Sequence, residues 1–230
     1  MANKDVLTVC ASGDHAFYSI NDGAKSVDLF DINCLTKYYY CLRIWAIKYL
    51  NDYSLNLSNF HEYACYLLKY VRPKNVLEND CYYFWKLFLE RVDKNNIFKL
   101  FNYGRPDNEI DNLRNLSKFI KKHDFSFFNI DISKSISLMH KKYDVLLLSN
   151  IHEYISPNDF WNFNCNIFSL LNDKGVAIIS LFMDLQKHKK DVFEKYFNLF
   201  EIPEYDYCDK NKCSIGYVLK KKVSNSERCK

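Results

Sequence analysis

Apolar positions along the chain fall in two rhythms, short unbroken runs and stretches spaced by three or four, which alternate as strand and helix do. Asp5 to Cys10 (DVLTVC) is a β-branched run that predicts a buried strand, and the small and polar residues Ala11, Ser12, Gly13 and Asp14 predict a tight turn. A helix follows over 14–21, with Asp14 or Ser12 as its N-cap and Asp22-Gly23 as its stop. Ser26 to Phe30 (SVDLF) predicts a second strand ending at Asp31. From Leu35 to Leu50, apolar residues recur at 35, 38, 39, 42, 45, 46, 49 and 50, as one buried helical face requires.

Residues from about 52 to 124 read as helices (59–70, 82–92 and 107–122) joined by Arg72-Pro73 and by Tyr103-Gly104-Arg105-Pro106. The strand-helix alternation then resumes. Phe125 to Ile130 (FSFFNI) leads to Asp131, and Tyr143 to Ser149 (YDVLLLS) leads to Asn150, both with the continuous apolar character of parallel strands buried on two faces. Pro157 opens a helix reaching Leu171, Asp173-Lys174-Gly175 predicts a turn, and Val176 to Phe182 (VAIISLF) predicts another strand. A helix over 187–197 precedes a closing antiparallel pair, 199–205 and 214–220, and the tail from Lys221 is polar. The expected fold is α/β: a doubly wound, Rossmann-like, mainly parallel sheet in a single domain over 1–230. It carries a helical insertion between strands two and three and a C-terminal antiparallel hairpin, and its ligands belong at the carboxyl ends of the strands.

Composition narrows this picture by exclusion. The 230 residues are 48% hydrophobic and 26% charged with five Gly and four Pro, which rules out disordered and collagen-like chains. A net charge of +4 is too mild for an obligate nucleic-acid binder, so no nucleic acid is expected. Nine cysteines without a C-x-x-C pair, after an N-terminus lacking a signal-peptide pattern, make the reduced cytoplasm the expected compartment. Cys208 and Cys213 have no companion pair or His at ligand spacing, and no metal is expected. Asp, Asn and Lys interrupt every apolar stretch, so contact with a membrane is expected to be peripheral at most.

Candidate chemistry gathers at strand ends. In the 11–14 turn, small residues let backbone amides of a helix N-terminus approach a ligand. Asp31 lies 18 residues beyond Gly13 at the end of the second strand, where a carboxylate suits two adjacent ribose hydroxyls. A diphosphate cradle needs G-x-G-x-x-G or a Walker lysine, and this turn has one glycine and no Lys. Dinucleotides and ATP are thereby disfavoured, and S-adenosylmethionine, which has no phosphate and a cationic sulfonium, is the expected cofactor. After the fourth strand, Asn150, His152, Glu153 and Tyr154 stand where a general base takes a proton from an attacking hydroxyl or amine.

These segments, with YDVLLLSNIHEY and LNDKGVAIIS, resemble the ordered motifs of the class I S-adenosylmethionine-dependent methyltransferase-like superfamily. The resemblance places Asp131 against the adenine amine and Ser149 beside the cofactor. Residues 6–50, with S-G-D before a helix, then GAKSVDLFDIN and an aromatic run in LTKYYYCLRIWAIKYL, are similar to a narrower bacterial family. It includes the aminocarboxypropyltransferase of betaine-lipid synthesis. That likeness implies transfer of a 3-amino-3-carboxypropyl group, or of a methyl group, to a hydroxyl or amine of a small-molecule or lipid acceptor. It places Ser12, Gly13 and Asp14 at the amino-acid moiety, Asp31 at the ribose and Ile32 and Asn33 at the adenosine rim. Cys10, Ser12 and Asp14 stand where the superfamily turn usually has glycines. That departure motivates the alternative reading, a non-catalytic adenosine-ligand-binding or scaffolding protein with the same fold. The aromatic clusters 38–40 and 82–85 are candidates for core packing or for an apolar acceptor pocket.

Overall fold

The strands of the computed structural model are β1 (Asp5–Val9), β2 (Ser26–Asp31), β3 (Ser126–Asn129), β4 (Tyr143–Ser149), β5 (Leu171–Ser180), β6 (Phe197–Ile202) and β7 (Gly216–Lys221). Its helices are α1 (Asp14–Asn21), α2 (Leu35–Trp45), α3 (Phe60–Leu68), α4 (Val76–Arg91), α5 (Phe160–Leu170) and α6 (Lys187–Tyr196). The structure describes residues 1–50, 60–91, 120, 125–180, 187–202 and 216–222. The expected features at 103–107, Cys208, Cys213, Cys229 and most of the 107–122 helix lie outside them. The chain divides into two compact units: residues 1–9, 22–32 and 125–230 form one, and residues 10–21 and 33–124 the other.

The first unit holds one sheet in the order β3-β2-β1-β4-β5-β7-β6. β1 through β5 run parallel and β7 is antiparallel to both β5 and β6, the doubly wound sheet with a C-terminal hairpin that the apolar runs imply. The core stacks Leu7, Leu146, Leu148, Ala177, Ile179 and Leu219 of the sheet with Phe160, Phe163 and Ile167 of α5 and Phe193 of α6. The turn expected at 173–175 is instead an irregularity inside β5. Tyr143 pairs with Leu171 and Val145 with Val176, so residues 172–175 are spliced into the strand as a bulge. The bulge leaves little room for a side chain at Gly175, where a Cβ would sit 3.0 Å from both the Tyr143 carbonyl and Leu171 Cδ2.

A polar network stabilises the amino ends of the strands. Lys141 Nζ lies 2.8 Å from Asp28 Oδ2, to which the Tyr143 hydroxyl also donates at 3.0 Å. Ser26 Oγ donates to Asp5 Oδ1 at 2.6 Å. That bond, working against partial burial and aided by Lys25 and Lys141, holds the Asp5 carboxyl below its usual value. At the opposite, carboxyl edge of this sheet β2 ends at Asp31 and β4 at Ser149.

The second unit is helical among its described residues. α2 continues into a π-helical turn, Ala46–Leu50. α4 begins six residues before the expected Tyr82 because Asn75 Oδ1 accepts the Glu78 amide at 2.8 Å while Glu78 accepts the Lys74 amide at 2.7 Å, an N-capping exchange. The aromatic clusters pack as core. Trp85 is fully buried and donates Nε1–H to the Tyr38 carbonyl at 2.8 Å, and the Tyr38 and Phe84 rings stack at 3.8 Å. Tyr40 is fully buried with its ring 5.1 Å from that of Phe17, whereas Tyr83 remains exposed.

Candidate functional site

Because β1 to β5 are parallel, the residues that end them share one edge of the sheet. Asp31 closes β2, and its carbonyl accepts the Ile130 amide at 3.1 Å and the Asn129 side-chain amide at 2.9 Å. Asn129 Nδ2 also reaches the carbonyl of Ile32, an exposed residue, at 3.0 Å. Asn129, absent from the residues singled out in the sequence, therefore fixes the backbone that presents Asp31. Asp131 folds its carboxylate onto its own loop: Oδ1 accepts the Ser133 amide at 3.0 Å and hydroxyl at 2.6 Å, an Asx turn, and Oδ2 lies 3.6 Å from Lys134. Ser149 ends β4 with φ +48°, a left-handed conformation that costs a non-glycine residue about 1–2 kcal/mol. Backbone strain of this kind concentrates at functional sites.

Beyond Ser149 the chain turns through Ile151–Glu153, a 3-10 helix. The turn gathers three of the four residues marked for proton transfer, since Asn150 Nδ2 donates to Glu153 Oε2 at 3.2 Å and meets the Tyr154 hydroxyl at 3.4 Å. Tyr154 is 81% exposed and His152 only 1%, so the fourth faces inward. The His152 ring packs edge-on to Phe193, and its two nitrogens have no hydrogen-bond partner among the described residues. Burial, countered in part by Glu153 and reinforced by Lys189, pushes its pKa down to about 4. Lys189 is also buried and donates to the His152 carbonyl at 2.8 Å. His152 is thus a neutral imidazole packed beneath the polar trio.

In the helical unit, the turn before α1 closes with the Gly13 amide donating to the Cys10 carbonyl at 2.6 Å. Ala11 has φ +40° and Gly13 φ +87°. A Cβ on Gly13 would collide with the Tyr40 ring, with Cε2 at 3.0 Å and Cδ2 nearer still. The one glycine in this turn is therefore demanded twice, by its dihedral and by its packing. Arg43, 12% exposed, anchors the turn from α2: its Nη1 donates to the Ser12 carbonyl and to Asp14 Oδ1, both at 2.6 Å. Ser12 Oγ donates to the other Asp14 oxygen at 2.6 Å. Burial pushes the Asp14 carboxyl up, but the Arg43 charge and the two hydrogen bonds outweigh it and hold the group below its usual range. Just ahead of α2, Asn33 Oδ1 accepts the Leu35 amide at 3.0 Å. Replacing Arg43 with Met is expected to lower the unfolding free energy by about 2 kcal/mol, the scale of a charge-assisted hydrogen bond with a partly exposed partner. Urea denaturation measures it. Asp14→Asn should cost less, since an amide oxygen can still accept from Arg43.

The 11–14 turn carries one carboxylate, Asp14, two residues of positive φ, Ala11 and Gly13, and no lysine. Among the described residues no group of three or more His, Cys, Asp or Glu is placed to hold a metal ion, and no helix is long and apolar enough to cross a membrane.

No protein-family model matches the chain, and neither does any curated protein. Solved structures do. A TehB-like S-adenosylmethionine-dependent methyltransferase from Corynebacterium glutamicum aligns at a TM-score of 0.52 with 11% identity, covering 96% of this chain and 82% of its own. The N-methyltransferase NodS from Bradyrhizobium japonicum, in complex with S-adenosyl-L-homocysteine, gives 0.52 with 8% identity over 96% and 79% of the two chains. The glycopeptide N-methyltransferase MtfA gives 0.52 with 8% identity over 96% and 85%. At these identities the likeness is one of fold, and the chain has the Rossmann-like fold of class I S-adenosylmethionine-dependent methyltransferases.

Proposed function

We propose that the protein is an S-adenosylmethionine-dependent transferase that moves a methyl or a 3-amino-3-carboxypropyl group to a hydroxyl or amine of a small-molecule or lipid acceptor. The observation that carries the reading is a carboxylate, Asp31, braced by Asn129 at the carboxyl end of β2 in a sheet of methyltransferase order. In this reading Asp31 accepts both ribose hydroxyls, Ile32 and Asn33 border the adenosine, and Asp131 and Ser149 contact the nucleoside. Ala11, Ser12, Gly13 and Asp14 hold the amino-acid end, with Arg43 keeping the Asp14 carboxylate ionised and in place.

The sulfonium, when bound, supplies a carbon whose bond to sulfur breaks with the electron pair leaving on sulfur. The chain's part is to orient the acceptor and remove its proton. Glu153 is the proton acceptor, held by Asn150, and Tyr154 lines the approach as an exposed ring. His152 is a positioning residue, its carbonyl tied to Lys189 and its buried ring packed against Phe193.

Incubating the protein with S-adenosylmethionine and separate pools of amines, alcohols and diacylglycerol, then separating the nucleosides by chromatography, tests the reading. Methyl transfer leaves S-adenosylhomocysteine and aminocarboxypropyl transfer leaves methylthioadenosine. Glu153→Gln is expected to lower the rate of either by about 100-fold or more, the usual contribution of a general base. Binding without any product from any pool would instead support a non-catalytic nucleoside-binding protein.

A further inference from the structure

Cys41 of α2 and Cys81 of α4 are 40 residues apart in sequence, fully buried, and have their Sγ atoms 2.7 Å apart. Contacts on both sides fix the register of the two helices. Lys37 Nζ meets Asp80 Oδ2 at 2.6 Å, the Trp85 indole donates to the Tyr38 carbonyl at 2.8 Å, and Lys48 lies 3.8 Å from Glu78. The thiols are therefore presented to each other by a braced interface rather than by chance rotamers. A disulfide needs sulfurs about 2.05 Å apart, so bond formation requires only a small approach.

We propose that Cys41 and Cys81 are a redox modification site, closing reversibly to a disulfide when the protein meets hydrogen peroxide. One thiolate attacks the peroxide, breaking the O–O bond to give a sulfenic acid and hydroxide, which takes up the proton lost by the thiol. The second thiol's sulfur displaces the sulfenic oxygen, which leaves as water. Two thiols and one peroxide become one disulfide and two waters, with two electrons passing from the sulfurs to the peroxide oxygens. Only a small oxidant reaches a site this enclosed, and burial holds the Cys41 thiol well above its usual pKa, so closure is slow and follows transient opening of the helix pair. The bond would fasten α4 to the helix that carries Arg43, and thereby stiffen the support of the 11–14 turn. The inference does not depend on the transferase reading.

The full-length reduced protein is first alkylated under native conditions to block accessible thiols such as Cys34. It is then exposed to hydrogen peroxide, denatured, and labelled with an isotopically distinct alkylating reagent before digestion without reductant. The expected results are a cross-linked peptide joining Cys41 to Cys81 and a Tm raised by about 10 °C, from the constraint on a loop of this length. Dithiothreitol should reverse both, and Cys81→Ser, treated identically, should show neither. Complete second-label incorporation at Cys41 and Cys81, a cross-link of Cys41 to Cys10 instead, or a cross-linked protein with unchanged Tm would overturn the proposal. S-adenosylmethionine binding enters none of these readouts.

Discussion

Gly13→Ala is expected to destabilise the protein by about 3 kcal/mol and to weaken nucleoside binding at least tenfold. Two costs add. At φ +87° an alanine pays about 1–2 kcal/mol for the left-handed backbone. The new Cβ must also displace the Tyr40 ring, which is fully buried and stacked on Phe17, at about 1–3 kcal/mol for overpacking. Relaxation would have to move the turn, taking with it the peptides between Cys10 and Asp14 and the two bonds from Arg43. Ala11→Gly supplies the opposite sign, because at φ +40° glycine relieves strain, with an expected gain of up to about 1 kcal/mol after its larger unfolded-state entropy is counted. Urea midpoints of the two variants, read at one pH, check both. Equal and small shifts would show that the turn is not held as described.

The second large effect is a loss of stability on mild acidification, set by His152. Its pKa in the fold is about 4, against 6.5 for an unperturbed histidine. Between those values the unfolded chain binds a proton that the folded chain does not, so stability falls as pH decreases through this window and is fully retained above it. The slope is about 1.4 kcal/mol per pH unit, giving a loss of about 3 kcal/mol between pH 6.5 and 4. His15, pushed down by burial against the opposing pull of Asp14, adds in the same direction. The carboxylates of Asp5, Asp14 and Asp144, which are held low, contribute stability above their unfolded value of 3.8 and lose it only below that. Comparing denaturant unfolding at pH 7 and pH 5 for the native sequence and for His152→Phe isolates the His152 share. The variant is expected to lose most of the slope while keeping the ring contact with Phe193. An unchanged slope would place the imidazole in water.

Much of the fold could be read from the chain because strands buried on both faces are written as unbroken apolar runs. YDVLLLS and VAIISLF needed no partner to be recognised as strands. Turn chemistry was read less well. Asp173-Lys174-Gly175 has turn composition, yet the pairing of Tyr143 with Leu171 absorbs it as a bulge, a consequence of sheet register that no local pattern encodes. The start of α4 was legible in principle, since Asn75 followed three residues later by Glu78 is a capping signature.

Asp31 could be found by its spacing from Gly13 and its place at the end of a strand. Arg43 and Asn129 could not, because each works through backbone carbonyls of residues far off in sequence, 31 positions for Arg43 and Ser12 and 98 for Asn129 and Asp31. His152 lies among Asn150, Glu153 and Tyr154, and composition alone made the four look alike. Only packing against α6 separates the buried ring from its exposed neighbours.

The measurement that bears most directly on the central claim is a calorimetric titration of the protein with S-adenosylmethionine and S-adenosylhomocysteine, repeated on Asp31→Ala. Micromolar binding of at least one ligand, reduced at least a hundredfold in a variant whose thermal unfolding is unchanged, is the expected result. No heat from either ligand, or equal affinity in Asp31→Ala, would contradict the claim that this sheet edge holds an S-adenosylmethionine-type nucleoside.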